Sequence, residues 1–231
     1  MCIKKLLLLL AVCSSLAHAG NVDETASAVT DYRFRGISQS NLEPSLANQL
    51  EYRDDSGLWI GNKLNTVSKQ EYTNGLGTEA DIYGGYHHQF SDDIRIFVGD
   101  YEYTYAGATQ FNTNEVFAQL RMPYFTFKYY RSTTNEFAVP GTMGTQYISV
   151  DNYVPYKDVT LVSHVGYTRS PVAGLSYADW KIGPTVNIEG IDVAVNYYWN
   201  TGMSNDFKLA NTVDGHQLYR NAVILSVGKS F

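Results

Sequence analysis

The sequence predicts an all-β protein, a transmembrane antiparallel up-and-down β-barrel of about twelve strands, and three observations carry that prediction. Apolar and polar residues alternate with a period of two along most of the chain. The alternating stretches run to roughly 9–11 residues, the length of a tilted strand that crosses an outer membrane. The links between them are by turns short and long. Composition agrees, since 19 Tyr and 19 Gly against only 6 Pro suit strands and tight turns better than helices.

From the N-terminus, "MCIKKLLLLLAVCSSLAHAG" has the parts of a secretory leader: Lys4 and Lys5, an apolar run from Leu6 to Val12, and Ala17-His18-Ala19 as an A-x-A cleavage site. Residues 1–19 are therefore expected to be removed, leaving residues 20–231 as a single barrel domain in the outer membrane. Val12 is too bulky before Cys13 to favour a lipoprotein signal. Both cysteines, Cys2 and Cys13, go with the leader, so no disulfide is expected. The chain carries 17 basic and 23 acidic side chains, and loss of Lys4 and Lys5 makes it more acidic still. Such a surface excludes nucleic acid as a partner. Beyond residue 20 no apolar run approaches the roughly 18 residues of a spanning helix, so any crossing must be made by strands.

Strands are expected at 26–38, 45–53, 58–67, 78–90, 93–106, 114–122, 124–132, 145–154, 159–169, 177–189, 191–200 and 217–231. The clearest is 191–200, where Ile191, Val193, Val195, Tyr197 and Trp199 oppose Asp192, Ala194, Asn196, Tyr198 and Asn200. Its partner at 177–189 joins it through Glu189-Gly190, a hairpin turn. At 93–106 the phase changes between Ile94, Ile96 and Val98 and Tyr101, Tyr103 and Tyr105, which predicts a bulge at Gly99-Asp100. The stretches 45–53 and 145–154 are the weakest in pattern.

Short links ("DDSG", "SDD", "MPY", "PYKD", "EG") alternate with long polar ones such as "STTNEFAVPGTMG" and "GMSNDFKLANTVDGH", the habit of barrels with short periplasmic turns and long external loops. Tyr32, Tyr52, Tyr129, Tyr167, Trp180, Trp199 and Tyr219 fall near the expected strand ends, where aromatic rings favour the membrane boundary. Val223, Leu225, Val227 and Phe231 share a face, so the last strand runs to a terminal aromatic that is expected to address the barrel-assembly machinery. Closure follows from physics: unpaired backbone groups in outer-membrane lipid cost several kcal/mol each, so a spanning sheet must have no edge. A soluble barrel would put the apolar face inside.

The stretch "YRFRGISQSNLEPSL" at 32–46, with Phe34, Arg35, Gly36, Ile37, Ser38, Gln39 and Pro44, resembles the N-terminal signature of TorF-family porins. Further likenesses are "EADIYGGY" at 79–86, "EVFAQLRMPYFTFKYYRST" at 115–133 and "HVGYT" at 164–168. The resemblance implies an outer-membrane barrel with a pore and assigns no solute and no functional residue.

Catalytic and metal chemistry find little footing. Ser163 and His164 are adjacent on an expected strand and so point to opposite faces, and His87 and His88 do the same. No cofactor or metal is called for. The expected functional surface is the lumen. Asp31, Arg33, Arg35, Glu79, Asp81, Arg95, Arg121, Lys128, Asp179, Lys181, Asp192 and Arg220 are expected to line it, with Arg53, Lys63, Glu51, Asp100, Glu102 and Glu115 beside them. Tyr32 and Phe34 are expected to face lipid. Opposite charges balance in number, so they either line a wetted route or pair across it and close it, with pairing preferred. The expected function is passive diffusion of small hydrophilic solutes. The alternatives are a closed barrel acting through its external loops, as adhesin, receptor or structural component, and a lipid enzyme.

Overall fold

A computed structural model describes residues 20–72 and 74–231; the expected leader, 1–19, lies outside them. Twelve antiparallel strands follow one another round a closed barrel: β1 (Asn21–Val29), β2 (Ser45–Arg53), β3 (Leu58–Thr66), β4 (Thr78–Ser91), β5 (Ile94–Tyr105), β6 (Thr113–Arg121), β7 (Phe125–Ser132), β8 (Gln146–Tyr156), β9 (Val159–Arg169), β10 (Tyr177–Ile188), β11 (Ile191–Thr201) and β12 (Ala222–Ser230). Each pairs with its sequence neighbour, and β1 pairs with β12 to close the sheet.

Burial runs opposite to that of a soluble protein. Leu46, Ile60 and Val223 stand outward at 64%, 57% and 68% exposure, whereas Glu79, Asp81 and Glu115 are inside at 2%, 1% and 1%. The period-two pattern thus sorts apolar side chains to an outer band and charge to the lumen, as in a spanning barrel. One end carries tight turns. At Glu189-Gly190 both residues have positive φ (51° and 82°), the two-residue geometry that matches strand twist. The other end carries the long links, including the one-and-a-half-turn helix α1 (Asn205–Ala210), N-capped by Ser204 accepting from the Phe207 N–H.

Three expectations need correction. The first strand is 21–29, not 26–38: after Thr30 the chain leaves the wall, and residues 30–44 fold into the barrel. There Arg33–Phe34 pairs with Ile37–Ser38 in a two-residue ladder, reversed through Arg35 (φ 47°) and Gly36 (φ 80°). Alternation in "DYRFR" therefore belongs to a small hairpin with lumen on both sides, and Tyr32 and Phe34 face inward with the arginines. The last strand likewise starts at Ala222, because the stretch before it is loop. Finally, no bulge interrupts Gly99-Asp100. Gly99 faces Gly85 in unbroken register, and the only irregularity of that ladder lies between Gln89 and Ser91. The tyrosines of β5 face the lumen, which is itself aromatic; Asp100 and Glu102, on the opposite parity, stand on the outer wall rather than in the lumen.

On the outer face Trp180 and Trp199 stack at 5.8 Å, with Tyr197 beside them. Tyr52, Tyr129 and Tyr167 share that face, whereas Tyr32 does not.

Candidate functional site: the lumen and its inward segment

The inward segment is held from several strands at once. The Arg35 guanidinium donates from Nη2 to both Glu115 carboxylate oxygens (2.7 Å each) and from Nη1 to Glu136 (3.3 Å), a residue of the link between β7 and β8. Its plane lies over Tyr147 (4.3 Å) and Phe34 (4.6 Å). A planar, permanently charged fork fits this combination of carboxylates and rings, where a lysine would not. Tyr103 also donates to Glu115. Tyr32 donates its hydroxyl to Glu79 (2.8 Å), which further accepts from Tyr105 and Asn65. Phe34 packs edge-on against Tyr103 and Phe137. Arg33 donates to Asp31 (2.8 Å) and to the Gly36 and Arg220 carbonyls, and Asp31 accepts from Ser38 as well.

At Gly36 the segment touches the wall: a Cβ there would lie 2.0 Å from Asn200 Oδ1 and 2.8 Å from the Asp179 Cβ. Only glycine satisfies both that approach and the positive φ. Toward the long-loop end, Asn41 N–H donates to Glu71 (3.1 Å) and Tyr72 donates to Gln39. Burial in the loops pushes the Glu71 carboxyl up to about 8, and Glu136 up to about 7 despite Arg35 beside it.

The residues expected to line the lumen divide by depth. Asp31, Arg33, Arg35, Glu79 and Asp81 meet around the inward segment, with Asp81 accepting from Tyr101. Lys128, Asp179 and Lys181 surround the space beneath it. Arg121 stands lower, and Arg95 and Asp192 lie toward the short-turn end, Asp192 accepting from Asn187. Arg220 departs from expectation: it is exposed in the turn ahead of β12, and only its carbonyl touches the segment. A strand drawn back to 217 had placed it on the wall.

Of one cluster the sequence reading names Lys128 and Asp179 but not Asp151. His164 lies between Asp151 (2.8 Å) and Asp179 (3.0 Å), with the Tyr147 hydroxyl 3.0 Å away and Lys128 on the far oxygen of Asp151 (2.9 Å). Asp151 sat in a weakly patterned stretch, yet Tyr147, Ser149 and Asp151 do share the inward parity of β8. Ser163 points outward, away from His164.

Four cavities follow one another along the lumen. One of about 170 Å³ at the long-loop end shares Phe34 and Arg35 with a middle cavity of about 270 Å³. The middle cavity shares Lys63, Lys128 and Tyr130 with a lower one of about 250 Å³. A fourth, about 340 Å³, opens at the short-turn end beside Arg53, His87 and Arg95. Phe34 and Arg35 thus form the partition between the long-loop end and the rest.

Compared with known proteins, residues 16–231 match a family model described as a bacterial protein of unknown function (Gcw_chp). No curated protein matches. Among solved structures, the KdgM porin in complex with disordered oligogalacturonate is similar over 92% of this chain and 98% of that one, with TM-score 0.55 and 8% identity. The NanC porin is similar over 91% and 99%, with TM-score 0.52 and 11% identity. At such identities the likeness is one of fold.

Proposed function

Because the chain belongs to the Gcw_chp family of bacterial proteins of unknown function and folds as a closed, inside-out barrel, we propose that it is an outer-membrane porin passing small hydrophilic solutes by passive diffusion. The inward segment 30–44 is its constriction, and Phe231 its address for the barrel-assembly machinery. The carrying observation is the run of cavities along the lumen, polar below the Phe34–Arg35 partition and mainly apolar above it. The resemblance of residues 32–46 to TorF-family porins supports the same reading. No bond is made or broken in this function; the wall supplies a wetted path, and size and charge select.

The partition itself favours the second reading, a closed barrel acting through its loops. Planar-bilayer recording of the refolded protein separates the two. Discrete current steps that scale with salt concentration are expected. A correctly folded barrel that never conducts, across pH and voltage, would leave only the loop-acting barrel.

A further inference from the structure

The charges of the lumen are unevenly paired. Among the described residues, Arg33 pairs with Asp31, Arg35 with Glu115 and Glu136, Arg53 with Glu51 and Asp23, and Lys128 with Asp151. The carboxylates near the inward segment are further satisfied by hydroxyl and amide donors: Glu79 by Tyr32, Tyr105 and Asn65, and Asp179 by Tyr147. Among the described residues Glu79 and Asp81, the latter across the ladder from Lys63, have no cation in ion-pair contact, and several lumen cations have no carboxylate in such contact. Lys181 lines the middle cavity, Lys63 lines both the middle and the lower one, and Arg121 lines the lower one. Arg95, which donates to Gln89, continues the series to the short-turn mouth, where Asp54 and Asp55 also line the space.

The lower cavity has a second property. The Arg121 guanidinium rests over the Phe97 ring at 4.3 Å and takes the Gln119 side-chain oxygen as its acceptor, while Glu51, which lines the same cavity, is in ion-pair contact with Arg53 instead. Trp59 lines the same cavity at 8% exposure, and its buried indole N–H finds no acceptor among the described residues. A buried donor without an acceptor costs free energy comparable to a lost hydrogen bond, and an arriving acceptor recovers it. Tyr83, Phe117 and Tyr130 complete an aromatic wall. Fixed cations, an unused donor and ring faces in one low-dielectric space suit a solute with a carboxylate on a small hydrophilic body.

We propose that the lower lumen, centred on Lys63, Arg121 and Trp59, is a binding and selectivity site for small carboxylate-bearing solutes of the sugar-acid class. The proposal deepens the passage reading and rests on it for transport, though the site can be tested without conduction. Trp59 is the lumen tryptophan, whereas Trp180 and Trp199 stand on the outer wall. In a Trp180→Phe/Trp199→Phe background, the fluorescence of Trp59 reports the lower cavity alone.

Iodide is expected to quench Trp59 several-fold more efficiently than caesium, and glucuronate, but not glucose, to protect against it. Combined Lys63→Gln and Arg121→Gln should bring the two quenchers to parity while the barrel still migrates as a folded species on unheated gels. In bilayers the intact protein should show an anion-selective reversal potential in a salt gradient, and the double variant should lose it. Equal or stronger quenching by caesium, no difference between glucuronate and glucose, or a preference unchanged by the double substitution overturns the site. Retained iodide preference without any channel steps would sink the passage reading and leave the site standing; channel steps without anion preference would do the reverse.

Discussion

At the scale of single residues, Arg35 concentrates the consequences. Its partner Glu115 is 1% exposed, so removing the guanidinium strands a buried carboxylate, a change that costs about 3–5 kcal/mol in comparable pairs. Arg35→Ala is expected to release the inward segment and raise single-channel conductance. Arg35→Lys should behave more like the alanine variant than like the parent, since an ammonium cannot fork across Glu115 and stack on Tyr147. Unchanged current steps in both variants would show that the segment is held without this pair.

Two loop carboxyls supply a pH dependence whose sign can be worked out. Glu71 faces Asn41 and Asp31, Glu136 faces Arg35, Glu115 and Thr145, and burial raises Glu71 to about 8 and Glu136 to about 7 from an ordinary 4.5. With the segment docked these groups hold protons that they give up when it leaves. Docking therefore strengthens as pH falls through about 8 and then about 7, and the gain is complete below the ordinary carboxyl value. Conductance should fall between pH 8.5 and pH 5 for the wild type, and less so for Glu136→Gln combined with Glu71→Gln. The charge of Arg33 and Arg35 was legible from sequence, but their place in a hairpin inside the barrel was not. Their partners were not, because Glu115 and Glu136 are far along the chain and only closure of the barrel brings them to the segment.

At the scale of elements, the wall was easier to read than what fills it. Strands that contact lipid outside and charge inside show both halves of the alternation, so 45–53 and 191–200 appear in the structure as 45–53 and 191–201, even though the first is weakly patterned. Inward elements lack that contrast. The hairpin of residues 33–38 has lumen on both faces, and its alternation says nothing about lipid. The same ambiguity misplaced Asp100 and Glu102, since a lumen padded with Tyr101, Tyr103 and Tyr105 makes apolar parity a poor guide to the outside. The seat of the segment is testable through Gly36. A Gly36→Ala change drives a methyl into Asn200 and Asp179, so the segment should shift while the barrel stays closed. Larger or noisier current steps with unchanged heat-modifiability on gels are the expected result.

For the whole molecule, the outer wall carries an exception of its own. Asp100 and Glu102 face outward on β5, where Asp100 accepts from Asn114, and they line a groove on the outer wall together with Ile82 and Gly84. Carboxylates on a lipid-facing wall are tolerated at some cost in stability, less than that of Arg or Lys. Glu102→Leu is therefore expected to stabilise the vesicle-inserted barrel by on the order of 1 kcal/mol, read from the urea midpoint. A lower midpoint would mean that this carboxylate has a partner outside the chain.

The ladder between β1 and β12 covers only Thr25–Val29, whereas β1 pairs with β2 along all of Asn21–Val29. Every other ladder of the barrel joins strands adjacent in sequence. Local hairpins can therefore zip one after another at small entropic cost, but the seam must bring residue 25 to residue 230. The kinetic difficulty of the fold is gathered into that one short ladder, whose closure decides when the sheet becomes a barrel more than how firmly any hairpin holds.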